Sequence, residues 1–166
     1  GTPEDKKTGK ADMQYVHAVA REFGKHLNGY KILVNKSTVP VGTADIVRDI
    51  VTHASNGKHE FDIVSNPEFL REGAAIKDFL NPDRVVVGVA SDRAKAIMEK
   101  IYRPIARTGR PVMMTDIRSA ELIKYASNAF LATKITFANE LANFCELVGA
   151  NIKEVSKGMG LDSRIG

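Results

Sequence analysis

Cysteine is nearly absent from this chain, and that scarcity excludes two kinds of structure. Cys145 is the one cysteine among 166 residues, so neither an internal disulfide nor a multi-cysteine metal site can form. Such usage fits a reducing compartment, and we expect a cytoplasmic protein. No apolar run approaches the roughly eighteen residues that a membrane span needs, so we expect no membrane partner.

The start of the chain also lacks features that a complete protein or a complete nucleotide-binding domain usually has. The chain starts at Gly1 with neither an initiator methionine nor a hydrophobic signal region. No G-x-G-x-x-G motif occurs, although nucleotide-binding α/β domains usually begin with a strand and that turn. We therefore expect an internal piece of a larger protein.

The charge is mildly positive and evenly spread. Twenty-four Lys and Arg residues face twenty Asp and Glu residues, which gives a net charge of +4. Because the basic residues form no patch or stripe, we expect no nucleic-acid partner, whereas a small phosphorylated ligand suits this balance. We also expect no metal site, because the histidines show no metal-binding spacing.

Short runs of branched apolar residues alternate with helical patterns along the first two thirds of the chain. This alternation is typical of an α/β domain with a mostly parallel sheet. The predicted strands cover residues 31–35, 61–65, 85–89 and 112–115. The predicted helices are one capped by Asp12, one around 46–51, and two over 74–80 and 92–102.

A single long helix is predicted over 119–148, where neither proline nor glycine occurs, with Asp116 or Ser119 as its cap. Phe130, Phe137 and Phe144 recur every seven residues, and further apolar residues widen that stripe. Two interpretations are open: a central helix buried inside a larger monomer, or a dimer interface. A shorter helix is predicted over 152–159.

Polar residues follow the first two predicted strands. Ser37 and Thr38 come directly after one strand, at a position where open α/β sheets bind ligands, although ordinary turn chemistry explains them equally well. Pro67 follows the next strand and suits the first turn of a helix, which would place Glu68 and Glu72 on one face. Acidic residues in a first helical turn need no functional explanation.

Lys124 and Asn128 lie four residues apart within the long helix. In an otherwise apolar run, their burial costs free energy unless they are paired or used. A desolvated lysine stabilises a developing alkoxide, and an amide holds an oxygen in place. The alternative is a solvated polar edge between two apolar stripes. Cys145 has no histidine near it in sequence, and we expect it to be a packing residue.

Taken in order, four segments resemble the UDP-glucose/GDP-mannose dehydrogenase family. They are Lys36-Ser37-Thr38-Val39-Pro40-Val41-Gly42, Asn66-Pro67-Glu68-Phe69-Leu70-Arg71-Glu72-Gly73, Asn81-Pro82-Asp83-Arg84, and the run from Glu121 to Ala132. The resemblance covers nearly the whole chain. It implies an NAD-dependent oxidation of a nucleotide sugar's primary alcohol to a carboxylate, through two hydride transfers and an enzyme-bound thioester.

The resemblance also implies residue roles. Thr38 and Glu68 would position the catalytic water and manage protons, and Lys124 with Asn128 would stabilise the oxyanion. Ser37, Thr38 and Glu72 would contact the nicotinamide side of NAD, with Thr2 near its ribose. The sugar site would comprise Glu68, Phe69, Leu70, Arg71, Glu72, Lys124 and Asn128.

The implied fold is the later part of a Rossmann-like parallel-sheet domain, over 1–115, followed by the long helix and the start of a helical dimerisation domain, over 116–166. The implied assembly is a homodimer through the 119–148 helix. The family's glycine-rich motif and nucleophilic cysteine have no counterpart here, and Cys145 does not match the latter, so we expect the 166-residue chain alone to be inactive. The implied substrate is UDP-glucose. GDP-mannose or a UDP-N-acetylhexosamine, or a non-catalytic dimerisation module, is the alternative.

Overall fold

The structure is a computed structural model that describes residues 2–6 and 8–165, in which helices and strands alternate. The chain divides into two compact units, residues 1–125 and 126–166. The strands are β1 (Lys31–Asn35), β2 (Phe61–Ser65), β3 (Val85–Gly88) and β4 (Val112–Thr115). The helices are α1 (Gln14–Lys25), α2 (Thr43–Ser55), α3 (Ala75–Leu80), α4 (Asp92–Ala106), α5 (Ile117–Val148) and α6 (Ile152–Gly160).

The four strands form one sheet in the order β1-β2-β3-β4. β1 runs parallel to β2, and β3 runs parallel to β4, whereas β2 and β3 meet antiparallel at Ser65 and Gly88. The prediction of an α/β fold with a mostly parallel sheet is therefore confirmed. Because β1 and β2 are parallel, their carboxyl ends, at Asn35 and Ser65, lie side by side at one edge of the sheet.

Helices cover both faces of the sheet in the first unit. Successive strand residues point to opposite faces, so Ile63 packs with α1, α2 and the start of α5, while Val64 packs with β3 and α4. Burial on both faces explains why Ile63 and Val64 are both apolar although they point to opposite faces. The sheet is thereby held between two helical layers.

Gly88 allows the start of α5 to lie directly against the sheet. A Cβ placed at Gly88 would come within 2.6 Å of the Ala120 Cβ and 2.7 Å of the Ile117 Cα. These separations are shorter than any ordinary carbon–carbon contact. The absence of a side chain at Gly88 therefore sets the distance between β3 and α5.

The predicted strands agree with the structure to within one residue, but two predictions about helices were wrong. No helix begins at Pro67, because residues 66–71 are irregular and α3 starts only at Ala75. Glu68 instead accepts a hydrogen bond at 2.7 Å from the Leu70 N–H through its own carboxylate, a local bond that competes with helix formation. Glu68 and Glu72 therefore do not share a helical turn.

Helix α4 also extends further than predicted, through Pro104 to Ala106. A proline lacks an N–H donor, and its ring crowds the carbonyl oxygen four residues earlier, but the other residues of the turn keep their donors. The final turn keeps other backbone bonds, including the one from the Arg107 N–H to the Arg103 carbonyl at 3.1 Å. The helix therefore continues past the proline near its end.

The second unit contains the remainder of α5 and all of α6. Asn151 caps α6 by accepting a hydrogen bond from the Lys153 N–H at 3.0 Å. The Cys145 side chain is 3% exposed, which confirms the prediction that it is a packing residue. No helix in the described part of the chain is both long and apolar enough to cross a bilayer.

Candidate functional site

Two turns in the first unit carry the predicted site residues, and the first follows β1. Ser37 and Thr38 are half-buried there. The Thr2 hydroxyl donates a hydrogen bond to the Thr38 carbonyl at 2.8 Å, and the Thr43 hydroxyl donates one to the Pro40 carbonyl at 2.6 Å. The turn is thus held from both sides, and Thr2 lies beside Thr38.

Glu121, on α5, closes the end of the same turn. Its Oε2 accepts a hydrogen bond from the Gly42 N–H at 2.7 Å, and its Oε1 accepts one from the Ala44 N–H at 3.0 Å. Gly42 is the N-cap residue of α2, with φ of 92°, and forms no side-chain cap of its own. The buried Glu121 carboxylate, 2% exposed, therefore supplies the cap that α2 lacks. Burial raises the pKa of Glu121, and the two N–H donors oppose that shift.

Asn66 joins the two halves of the sheet at the start of the second turn. Its Nδ2 donates to the Val86 carbonyl at 2.8 Å, and its Oδ1 accepts from the Lys36 Nζ at 3.1 Å and from the Tyr102 hydroxyl. Asn66 is 2% exposed, so these bonds replace lost water contacts at the point where the strand direction reverses. Partial burial lowers the pKa of Lys36, against an opposing effect from Glu68.

Glu68 and Lys124 meet just beyond this point. The Lys124 Nζ lies 3.6 Å from the Glu68 Oε1 and 5.2 Å from the centre of the Phe69 ring. The Arg84 guanidinium also stacks on Phe69, with its Cζ 3.8 Å from the ring centre. The Lys124 side chain is 8% exposed and that of Glu68 is 36% exposed. A nearly buried ammonium therefore faces a carboxylate that water or a ligand can still reach.

Three predicted sugar-site residues lie further along the second turn. Arg71 forms a two-pronged ion pair with Asp78 of α3, at 2.7 and 3.0 Å, and this lowers the pKa of Asp78 to about 2. Leu70 and Glu72 are exposed. The structure thus brings Glu68, Phe69 and Lys124 together, and the sugar-site roles of all six residues stay predictions.

Asn128 lies four residues after Lys124 on α5 and belongs to the second unit, where it is exposed. Its proposed role as an oxyanion ligand stays a prediction. Within residues 2–6 and 8–165, no group of three or more His, Cys, Asp or Glu side chains is placed to hold a metal ion.

This arrangement can act on a polar ligand in two ways. A cation held away from water stabilises negative charge more strongly than an exposed one. A partly exposed carboxylate beside it can accept a proton or hold a water molecule. Both groups stand at the edge of the sheet where β1 and β2 end, which is where open α/β sheets bind ligands.

Sequence reasoning overlooked Glu121, Tyr102 and the bridging role of Asn66. Two of these residues lie inside segments that carry the family resemblance, but their contacts join positions far apart in the chain. Only the position of Glu121, three residues before Lys124 in an apolar helical run, gave a local signal, because a buried acid there needs partners.

The mostly parallel sheet, its two helical layers and the polar edge define an α/β protein of the Rossmann-like class. The model of the UDP-glucose/GDP-mannose dehydrogenase family's NAD-binding domain matches residues 1–106, and that family's central-domain model matches residues 118–166. The chain belongs to the UDP-glucose/GDP-mannose dehydrogenase family.

Relatives of known name agree with this membership. The whole chain aligns with a UDP-glucose 6-dehydrogenase of Bacillus subtilis at 58% identity, and the alignment covers 35% of that protein. It aligns with a UDP-glucose 6-dehydrogenase of Rhizobium meliloti at 53% identity, over 38% of that protein. The chain thus spans little more than a third of the length of these curated relatives.

Solved structures show the same fold. A UDP-glucose dehydrogenase from Pyrobaculum islandicum superposes on the whole chain with a TM-score of 0.93 at 42% identity, over 38% of its own length. A GDP-mannose dehydrogenase from Pseudomonas aeruginosa, solved as a ternary complex, superposes on 98% of the chain with a TM-score of 0.90 at 36% identity, again over 38% of its length.

Proposed function

We propose that these residues belong to an NAD-dependent dehydrogenase that oxidises UDP-glucose to UDP-glucuronate. The observation that carries the proposal is the nearly buried Lys124 ammonium, 3.6 Å from the Glu68 carboxylate, in a chain 58% identical to a UDP-glucose 6-dehydrogenase. In the overall reaction one primary alcohol, one water and two NAD⁺ give one carboxylate, two NADH and three protons. NAD⁺ supplies the hydride acceptor for each of the two oxidation steps.

The turn after β1 fits the cofactor side of such a site. The Ser37 and Thr38 hydroxyls stand at the carboxyl end of a parallel strand, where a nicotinamide group can be held by hydrogen bonds. Thr2 restrains that turn through its bond to the Thr38 carbonyl and is assigned to the cofactor's ribose. Glu72, from the second turn, is assigned to the nicotinamide side on the family motif alone.

Lys124 and Glu68 are the charged groups of the proposed chemistry. As the alcohol loses its proton, the Lys124 ammonium stabilises the alkoxide, and Asn128 is assigned to the same oxygen. Glu68 keeps one carboxylate oxygen on the Leu70 N–H and has the other toward Lys124, so it can orient a water molecule with Thr38. Phe69, Leu70, Arg71 and Glu72 complete the proposed sugar site.

Replacing Lys124 tests this assignment. In a full-length protein containing this sequence, we expect Lys124→Ala to lower kcat for UDP-glucose oxidation by about 10²- to 10³-fold, the effect typical of losing one oxyanion-stabilising group. Lys134→Ala is the matched control, because Lys134 is exposed on the same helix. NADH formation is the measurement, and a kcat for Lys124→Ala within twofold of the wild type would refute the role.

GDP-mannose is the second candidate substrate, because a GDP-mannose dehydrogenase structure matches 98% of the chain at 36% identity. A UDP-N-acetylhexosamine is the third. We expect kcat/KM of the full-length protein to be highest for UDP-glucose. A higher kcat/KM for either alternative would change the assigned substrate but not the assigned type of reaction.

We also propose a homodimer formed through the 119–148 helix. In the second unit Phe130, Phe137 and Phe144 are 65%, 57% and 58% exposed, and an apolar stripe of this kind is normally covered by a partner. The same stripe would serve a non-catalytic dimerisation module, and the Lys124 experiment distinguishes that function from the enzyme.

Sedimentation velocity tests the dimer. Phe137→Glu should yield monomers at concentrations where the wild type is dimeric, because a charge would be buried at the interface. Asn139→Glu is the control, since Asn139 is also exposed and lies on nearly the opposite side of the helix. A Phe137→Glu protein that remains dimeric would contradict the proposed interface.

A further inference from the structure

We propose that Glu121 is a positioning residue that holds the Ser37–Thr38 turn in place relative to Lys124. This inference rests on the proposed function, because it concerns how the groups of that site are aligned. Among the described residues, Glu121 forms its hydrogen bonds with the Gly42 and Ala44 N–H groups rather than with Ser37 or Thr38, so it acts through the backbone of the turn that carries them.

The geometry begins with the two ends of the Glu121 side chain. Its backbone belongs to the first turns of α5, whose Ala120 and Ile117 are packed against Gly88 of the sheet. Its carboxylate reaches the Gly42 and Ala44 N–H groups at 2.7 and 3.0 Å. One side chain thus joins the end of the β1 turn to a rigidly packed part of α5.

Lys124 lies three residues further along the same helix, so Glu121 and Lys124 lie on neighbouring positions of one face. Both are buried, at 2% and 7% exposure. Glu121 binds the turn after β1, and Lys124 pairs with Glu68 in the turn after β2. These two buried polar side chains of α5 therefore each anchor one of the two turns that carry the proposed site.

The hydrogen-bonding pattern requires a carboxylate rather than an amide at position 121. Two N–H donors converge on its two oxygens, and the Gly42 backbone with φ of 92° presents one of them. A Gln side chain has the same shape but only one acceptor oxygen, so its NH₂ group would face one of the N–H donors. Glu121→Gln therefore loosens the turn with almost no change in volume.

The charged groups around Glu121 favour the same conclusion. Arg118 on α5 and Asp45 on α2 are the neighbouring charges that act on it, with opposite effects on its pKa. They form an ion pair with each other at 2.9 Å, and no Lys or Arg side chain within residues 2–6 and 8–165 forms a salt bridge with Glu121. Backbone N–H groups, rather than a salt bridge, hold this carboxylate.

Steady-state kinetics of Glu121→Gln in the full-length protein tests the proposal. Because the turn is assigned to the cofactor, we expect KM and Kd for NAD⁺ to rise about tenfold, while KM for UDP-glucose stays within twofold. Misplacing groups by about 1 Å costs up to about 10²-fold in rate, so kcat should fall as well. Titration calorimetry with NAD⁺ gives Kd independently of turnover.

Ser91→Ala is the matched control. Ser91 caps α4 by accepting a bond from the Ala94 N–H at 3.0 Å, so its replacement also removes a helix cap but leaves the β1 turn intact. A merely structural role for Glu121 would lower Tm in both variants and leave both KM values unchanged. That outcome, or unchanged kinetics for Glu121→Gln, would overturn the proposal.

Two further outcomes separate this proposal from the function on which it rests. If the wild type does not oxidise UDP-glucose but binds NAD⁺, the proposed substrate fails, and the change in Kd still decides the role of Glu121. If Glu121→Gln does not fold, Glu121→Asp takes its place, because it keeps the charge and withdraws the acceptors by one methylene. It should raise Kd for NAD⁺ in the same direction, and an unchanged Kd would refute the proposal.

Discussion

Adding one methyl group at Gly88 should separate β3 from α5. The new Cβ would lie 2.6 Å from the Ala120 Cβ, 2.7 Å from the Ile117 Cα and 2.9 Å from the Asp116 carbonyl oxygen. Two of these neighbours are backbone atoms, so no side-chain rotation relieves the contact. The helix must shift instead, and overpacking of this kind costs about 1–3 kcal/mol.

This loss of unfolding free energy should appear as a lower Tm. For a chain of this length about 1 kcal/mol corresponds to about 3 °C in Tm, so Gly88→Ala should lower Tm by about 3–9 °C. Circular dichroism during heating measures Tm, and urea titration provides the free energy of unfolding. Because Glu121 and Lys124 lie just beyond the shifted segment, the NAD⁺-dependent oxidation of UDP-glucose by the full-length protein should slow as well.

Gly158→Ala is the matched control for this substitution. Gly158 is in α6, and a Cβ built there meets no atom within 4 Å. Alanine favours a helix over glycine by about 1 kcal/mol, so this variant should be as stable as the wild type or slightly more stable. A Gly88→Ala protein with unchanged Tm would show that α5 does not pack against β3 at this distance.

Three other substitutions test the polar contacts of the first unit. Asn66→Ala should lower the free energy of unfolding by about 2–4 kcal/mol, because the buried Val86 carbonyl, the half-buried Tyr102 hydroxyl and the Lys36 ammonium all lose a hydrogen-bond partner. Tyr102→Phe removes a single bond and should cost about 1 kcal/mol. Equal losses in urea unfolding would contradict the bridging role of Asn66. Burial and the bond to Asp62 raise the pKa of Tyr30 to about 12, above its ordinary value of 10.0. The contribution of the protonated Tyr30 to the free energy of unfolding is therefore complete below pH 10 and is lost as the pH rises toward 12. The difference in phenolate absorbance between wild type and Tyr30→Phe should have its midpoint near pH 12, and a midpoint near pH 10 would show that Tyr30 is not held in this way.

The elements of the fold could be predicted because each has a local cause. β1 and β2 are five-residue strands, each with three apolar residues, that end in polar turns, and α5 runs for 32 residues without a proline or glycine. Asp116 caps α5 through the Ser119 N–H at 2.9 Å, as one of the two predicted caps. Signals of this kind depend on neighbours in the sequence.

Sequence patterns fail where two local interactions compete for the same backbone, or where residues distant in sequence pair. Pro67 suits a helix start, but the Glu68 side chain bonds to the Leu70 N–H instead, and the helix is delayed to Ala75. The antiparallel meeting of β2 and β3 is likewise invisible in the alternation of helices and strands. It depends on a single residue pair and on the Asn66 side chain, which binds across the reversal.

The site itself illustrates why sequence patterns identify residues better than they identify contacts. Lys124 was a candidate because a lysine in an apolar helix needs a partner, but its partner Glu68 lies 56 positions earlier in the chain. Glu121 binds N–H groups 77 and 79 positions away. Those contacts exist because Gly88 lets α5 approach the sheet closely enough for both side chains to reach the two turns. The chemistry of the proposed site therefore depends on a glycine that has no chemical role in it.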